Sequence, residues 1–487
     1  MSQMVVEIIA DRARNAGVFA IMADETTDRQ HAEDLAIGVR FVHKGIPEER
    51  VVAMVKLEER DAETLAALIL AELDRLHIPR MFLVSQTHDG ASVMSSIRGG
   101  VQAIISREVG RNVLYLHCLA HQLHLVVVWL LKMVPEVQNF FTIMQRLTAF
   151  FNKKEARDAY AGDRLTRLLP QRWTGHRDVV ACFLTNQGEI LDTLNVLTKS
   201  KDISISAEAS IIHLMLSKDV FDQVAGLLQS IFEILSPLNL LLQQEDVDVE
   251  QSITMVQECT RKLGELIPQT SEVAPPTTKK IKLKIGVDRV IEKEVSLESP
   301  QEKEKRIRNI VEPVISEMKA RFSEQNLSAI SCLRYLKPGP HFLDEEKLGP
   351  LVKIATQFVK ATDVQWSHQM KIGKDAWETW NNKEKEKKEI TVADIADFFL
   401  NTQGFSAAFP TVRLLYVIAL TFGSSSATVE RGFSTLTRVL SPTRVSMTHW
   451  RKSNLVLLAA NHDITSSLDM EALLNRFALT SRRLILY

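Results

Sequence analysis

The chain has 487 residues, 45% of them apolar, and a formal net charge of -1 from 59 Lys and Arg against 60 Asp and Glu. That length suits one large core or two to three ordinary ones. The near-neutral balance excludes a global field for nucleic acid or an anionic membrane and leaves that task to local basic patches. Four scattered cysteines, Cys118, Cys182, Cys259 and Cys332, point to a reducing, intracellular setting rather than a disulfide framework. The N-terminal apolar run contains Glu7 and does not read as a signal peptide. The run 125–131 is too short to span a bilayer, so no membrane partner is expected.

The N-terminal quarter of the chain reads as alternating strands and helices. Residues 19–23 (FAIMA) form a short apolar strand that closes on Asp24. Runs 35–43 and 51–57 follow as antiparallel neighbours, joined through the turn signal KGIPEER at 44–50. A helix over 61–76 starts on Asp61 as its cap. Apolar run 81–84 leads into Asp89-Gly90, a helix spans 91–109, and 113–116 is a fifth strand. Together these predict a mixed sheet with helices on its faces, with Asp24 and Asp89 beyond strand ends, where sites form in open α/β sheets.

Beyond about residue 120 the pattern becomes helical, over 121–134, 135–151 and 220–235, with Pro237 expected to interrupt the last. Residues 268–305, rich in Pro, Thr, Ser and charge, read as a flexible linker or exposed loop. Its KKIKLK is a nuclear-import candidate or a solvated lysine run. Near the C-terminus, 410–422 reads as a buried helix. Gly423 ends it, Ser424, Ser425 and Ser426 offer caps, and Val429, Phe433, Leu436 and Leu440 lie on one face of the next helix, which carries Glu430 in its opening turns.

Each chemical candidate has a plainer alternative. Asp24 and Asp89 suit a hard cation with oxygen ligands, yet Asp at a strand end also caps turns. Glu430 would be a third ligand, or simply a favourable charge near a helix N-terminus. His117, Cys118, His121 and His124 carry zinc-type donors, but no second pair stands nearby, which favours a structural role. Arg172, Trp173, His176 and Arg177 set an aromatic among cations, as base stacking requires, or form a packed Trp with solvated neighbours.

The order FAIMADETTD, THDGASVM, LHCLAHQLHL, QRWTGHRD and SSSATVERGFSTLTRVL resembles the hAT superfamily of DNA transposases and their domesticated relatives. The resemblance covers about 10–463. It implies α/β plus all-α architecture, with an RNase H-like mixed-sheet core interrupted by a large helical insertion. The core would open over residues 1–125, the insertion would fill 126–405, and the core end and dimerisation region would occupy 406–487. The resemblance implies Asp24, Asp89 and Glu430 as the acidic triad for Mg²⁺ or Mn²⁺ in DNA strand cleavage and transfer. Cys118 and His121 match the pair beside the active site, and Trp173 a flipped-base residue. Leu455, Leu457 and Leu458 would pack against the core and a partner chain.

Departures from the family pattern are Gly423 in place of Pro, the stretch 85–88 before Asp89-Gly90, and a start shortly before the first core strand, where members typically carry a BED-type zinc finger. Specific recognition of transposon ends is therefore not expected. Two readings stay open: a metal-dependent, DNA-acting, self-associating transposase core, or a catalytically silent nuclear dimer acting as regulator or scaffold.

Overall fold

In the computed structural model the first apolar run becomes strand β1, Phe19–Thr27, followed by β2 (Glu33–His43), β3 (Ile46–Lys56), β4 (Leu83–His88) and β5 (Leu114–His117). The structure describes the chain apart from residues 29–30, 164, 166–172, 245–248, 269–277, 286–288, 297–298, 324–326, 328–329, 382–389, 403, 441–446 and 480–487, with backbone alone for 278–285, 289–296 and 406. The five strands form one sheet in the order β3-β2-β1-β4-β5. β2 runs antiparallel to β1 and β3, whereas β4 runs parallel to β1 and β5. This is the RNase H-like mixed sheet that the resemblance implies.

Local chemistry refines the expected elements. The β2–β3 turn is tighter than 44–50: His43 already pairs with Ile46, and Lys44 and Gly45 both adopt positive φ, 53° and 82°. That geometry belongs to a two-residue hairpin turn matched to strand twist. The helix expected over 91–109 divides into Ser92–Ser95 and Val101–Val109. A Cβ on Gly100 would stand 2.6 Å from the Ser96 amide nitrogen, so the break needs glycine. Asp61 caps Ala62–Arg75 as expected, its carboxylate accepting from Thr64 N at 2.9 Å.

Strand alternation gives the sheet two apolar faces. Ile21, Ala23, Leu35, Ile37 and Val39 bury with Val5 and Ile9 of helix Ser2–Ala16 and Leu65, Ile69 and Leu73 of Ala62–Arg75. Met22, Ala36 and Met54 bury with Val429, Leu436, Leu440 and Val456. The second face is thus closed by helices Ala427–Val439 and His449–Ala460, from the far end of the sequence. Leu457 is buried in the first cluster and Leu458 packs against it.

The sheet-bearing unit comprises Met1–Gln122, Leu240–Thr254 and Glu324–Tyr487. The described residues of 324–405, expected within the insertion, therefore cluster with the sheet. The reason is aromatic: Phe399 of Val392–Asn401 stacks on Tyr416 of the buried helix Pro410–Thr421, ring centroids 5.4 Å apart, and the Tyr416 hydroxyl donates to the Leu336 carbonyl at 2.8 Å.

The second unit, Leu123–Asn239 with Met255–Ser323, is helical around Phe140, Phe183 and Phe221, with Phe140 stacked on Phe221 at 4.7 Å. Helix Asp219–Leu241 runs through Pro237 rather than stopping there. Among the described residues it is the one helix long and apolar enough to cross a membrane, and its Phe221, Val224, Leu228, Ile231 and Leu235 are buried as a core stripe. Some of the expected linker is ordered: Thr278–Ile285 (β6) and Arg289–Ser296 (β7) form an antiparallel hairpin. The KIKLKI segment of its first strand alternates polar and apolar residues at the strand period, a signal hidden beneath the charge and proline content.

Candidate active site

Asp24 and Asp89 are brought together by the parallel pairing of β1 with β4. That pairing ends at Met22↔Thr87; Asp24 lies two residues further along β1, and Asp89 two residues further along the chain, just past the end of β4. Neighbouring strands stand about 4.8 Å apart, so the two positions lie side by side where the parallel pairing ends. Asp24 is not at a strand end as expected: β1 continues to Thr27 because its pairing with β2 persists to Thr27↔Glu33. Asp24 Oδ1 accepts from Glu25 N at 2.9 Å, and Asp89 Oδ1 from Ala91 N at 3.1 Å.

Glu430 reaches the same place from the C-terminal helix. Ser426 occupies the N-cap position, yet its hydroxyl does not cap the backbone. Ser426 Oγ lies 3.3 Å from both Cys118 Sγ and Glu430 Oε1, so its single proton serves one of them at a time. Cys118 Sγ also accepts from Ser426 N at 3.3 Å and His121 N at 3.4 Å. The backbone joins the same elements: Cys118 N donates to the His88 carbonyl and Leu119 N to the Ser424 carbonyl, both at 2.9 Å. Gly423 fits tightly here, since an added Cβ would stand 3.3 Å from Thr87 Oγ1, whose hydroxyl donates to the Gly423 carbonyl.

The electrostatics tie the three acids into one neighbourhood. Burial holds the Asp24 carboxyl well above the usual carboxylate range, and the charges of Glu430 and then Asp89 push it the same way. Burial raises Glu25 as well, partly offset by Arg60 and reinforced by Asp89. His88, fully enclosed beside Asp89, is driven down to about 4 by burial and is neutral at physiological pH. Burial, with Glu430 second, pushes the Cys118 thiol up to about 12, so it stays protonated and acts as a hydrogen-bonding hub, not a nucleophile.

The resemblance implies a divalent cation. The donor set fits by its chemistry: carboxylate oxygens suit a hard cation, and the side chains that act most strongly on Asp24 are the acids Glu430 and Asp89. The spacing is looser than coordination, because among the described residues no three His, Cys, Asp or Glu side chains stand close enough to hold an ion.

The DNA-contact candidates are placed differently. Trp173 is 4% exposed and packs against Phe232, ring centroids 5.9 Å apart, so its faces are covered by core side chains. This is the packed-Trp alternative; base stacking at Trp173 would require it to be uncovered. Arg177 pairs with Asp178 at 2.8 Å, and Arg172 lies outside the described residues. Sequence reasoning passed over two buried ionic groups beside the site. Arg40 and Glu49 pair at 2.6 Å, and Lys452 Nζ meets Asp28 Oδ2 at 2.8 Å and Asp34 Oδ2 at 2.5 Å. The available signal was a charged residue inside a run that otherwise reads as buried strand, as in AIGVRFV.

Two family profiles match the chain. Residues 1–100 match one described as ZMYM1/FAM200, RNase-like domain, and residues 381–464 match the hAT family C-terminal dimerisation region. The first supplies Asp24 and Asp89, the second Glu430, and both fall in the sheet-bearing unit. These matches at opposite ends of the sequence, both within the unit that holds the RNase H-like sheet, support an hAT-type transposase-like protein.

Proposed function

We propose that the protein self-associates through its C-terminal region and acts on DNA in the nucleus, with Asp24, Asp89 and Glu430 holding Mg²⁺ or Mn²⁺ for strand cleavage and transfer. The observation that carries this reading is geometric: the β1–β4 pairing sets Asp24 level with Asp89, and Ser426 Oγ, 3.3 Å from Glu430 Oε1, stands equally close to Cys118 Sγ, whose own amide donates to the His88 carbonyl next to Asp89. When bound, such ions activate a water or 3′-hydroxyl and stabilise the leaving oxygen. The chain's own role is to fix the three carboxylates, one on β1, one just past the end of the neighbouring parallel strand β4 and one on a helix packed across the sheet. The dimerisation region at 381–464 supports self-association.

A second reading, a catalytically silent nuclear dimer serving as regulator or scaffold, is favoured by the near-neutral charge balance, which supplies no global attraction for DNA. Incubating purified protein with flanked, pre-cut and hairpin DNA in Mn²⁺ separates the two. The first reading expects nicking or joining by the wild type and none by Glu430→Gln. An inert wild type that still self-associates supports the second.

A further inference from the structure

The helix that carries Glu430 follows a sharp bend, and one buried ion pair grips the chain on both sides of it. Arg40, fully enclosed on β2, donates from Nε to the Leu420 carbonyl at 2.9 Å, in the last turn of Pro410–Thr421. Its Nη1 donates to Glu49 Oε1 at 2.6 Å. Glu49, on β3, accepts in turn from the Thr428 hydroxyl, in the first turn of Ala427–Val439 and two residues before Glu430. Arg431 extends the chain, donating to Thr428 Oγ1 at 2.7 Å and to the Gln243 carbonyl.

A pair buried this deeply is a poor source of stability, because desolvation cancels much of its attraction and apolar residues would hold the strands as well. What apolar contact lacks is direction. Charge-assisted hydrogen bonds to one carbonyl and one hydroxyl fix distance and angle at both limbs of the bend.

We propose that Arg40, Glu49 and Thr428 form a latch that seats the first turn of the Glu430 helix, making Glu49 and Thr428 positioning residues for Glu430. The positioning role rests on the reading of Glu430 as one of three metal-holding acids. The seated turn also covers Cys118, whose sulfur accepts from Ser426 and is fully buried, so Cys118 reports whether the latch is closed.

The test uses the full chain with Thr428→Val, which keeps the shape and loses the hydroxyl, and Thr428→Ser, which restores it. Iodoacetamide labelling is read by peptide mass spectrometry, with buried Cys259 of the helical unit as internal reference. Thr428→Val is expected to label Cys118 about tenfold faster, with Cys259 unchanged and Thr428→Ser close to wild type. In a parallel Mn²⁺ titration, Thr428→Val is expected to bind roughly tenfold or more weakly, again rescued by Thr428→Ser. Equal Cys118 labelling in wild type and Thr428→Val overturns the latch. Unchanged Mn²⁺ affinity in a Thr428→Val chain whose Cys118 has opened overturns the positioning role. A wild type that takes up no Mn²⁺ overturns the reading of Glu430 itself, which keeps the two failures apart.

Discussion

Asp24 carries a cost that only its surroundings reveal. Its pKa in the folded chain lies above the unfolded value, through burial first and then Glu430 and Asp89. The sign follows: with Asp24 protonated in both states stability is complete, and it is lost as pH rises past the ordinary aspartate value towards the raised one. In chelator, Asp24→Asn should therefore melt higher than wild type at about pH 7.5, with no difference at about pH 3.5. A thermal scan at both pH values checks this, and an equal or lower midpoint at the higher pH would remove the uncompensated charge. None of this was legible at Asp24 alone, where Asp near a strand end has an ordinary capping explanation. The order of five motifs made the acids stand out, whereas Arg40, Glu49 and Lys452 carried no motif and are explained only by what encloses them.

At the scale of elements, strands and amphipathic helices were readable because period-2 and period-3.6 patterns were strong, and the stripe Val429, Leu436 and Leu440 does face the sheet. Less readable was what fixes a helix in place. His449–Ala460 lies against the sheet through Lys452, 2% exposed, which bridges Asp28 and Asp34 while His449 Nε2 reaches Asp34 Oδ1 at 3.0 Å. Removing one partner of a buried ionic group strands the others, so Lys452→Met should cost about 3–5 kcal/mol. Chemical denaturation, with hydrogen exchange followed at β1 and β2, measures it. A loss below about 1 kcal/mol would mean that the two carboxylates find other partners. The pairing of Thr278–Ile285 with Arg289–Ser296 was obscured for a different reason: the lysine content masked the alternation in KIKLKI.

For the whole molecule, the sequence showed a change of texture near residue 120 but not where the helical unit ends. Aromatic packing around Tyr416 returns 324–405 to the sheet-bearing unit, and such long-range pairing leaves no local periodicity to read. Self-association belongs to this scale. Trp450 is 77% exposed on His449–Ala460, within the matched dimerisation region, and exposed tryptophans of this kind anchor interfaces. Trp450→Ala should weaken self-association about tenfold or more in sedimentation experiments while leaving the helix and strand content seen by circular dichroism unchanged. Unchanged self-association would place the interface on another face of the region. The central claim, that three acids from distant segments serve as one site, is tested most directly by calorimetric titration of Mn²⁺ into wild type and into Asp24→Asn, Asp89→Asn and Glu430→Gln. Wild-type binding that each single substitution weakens roughly tenfold or more is the expected result; binding indifferent to Glu430→Gln would contradict it.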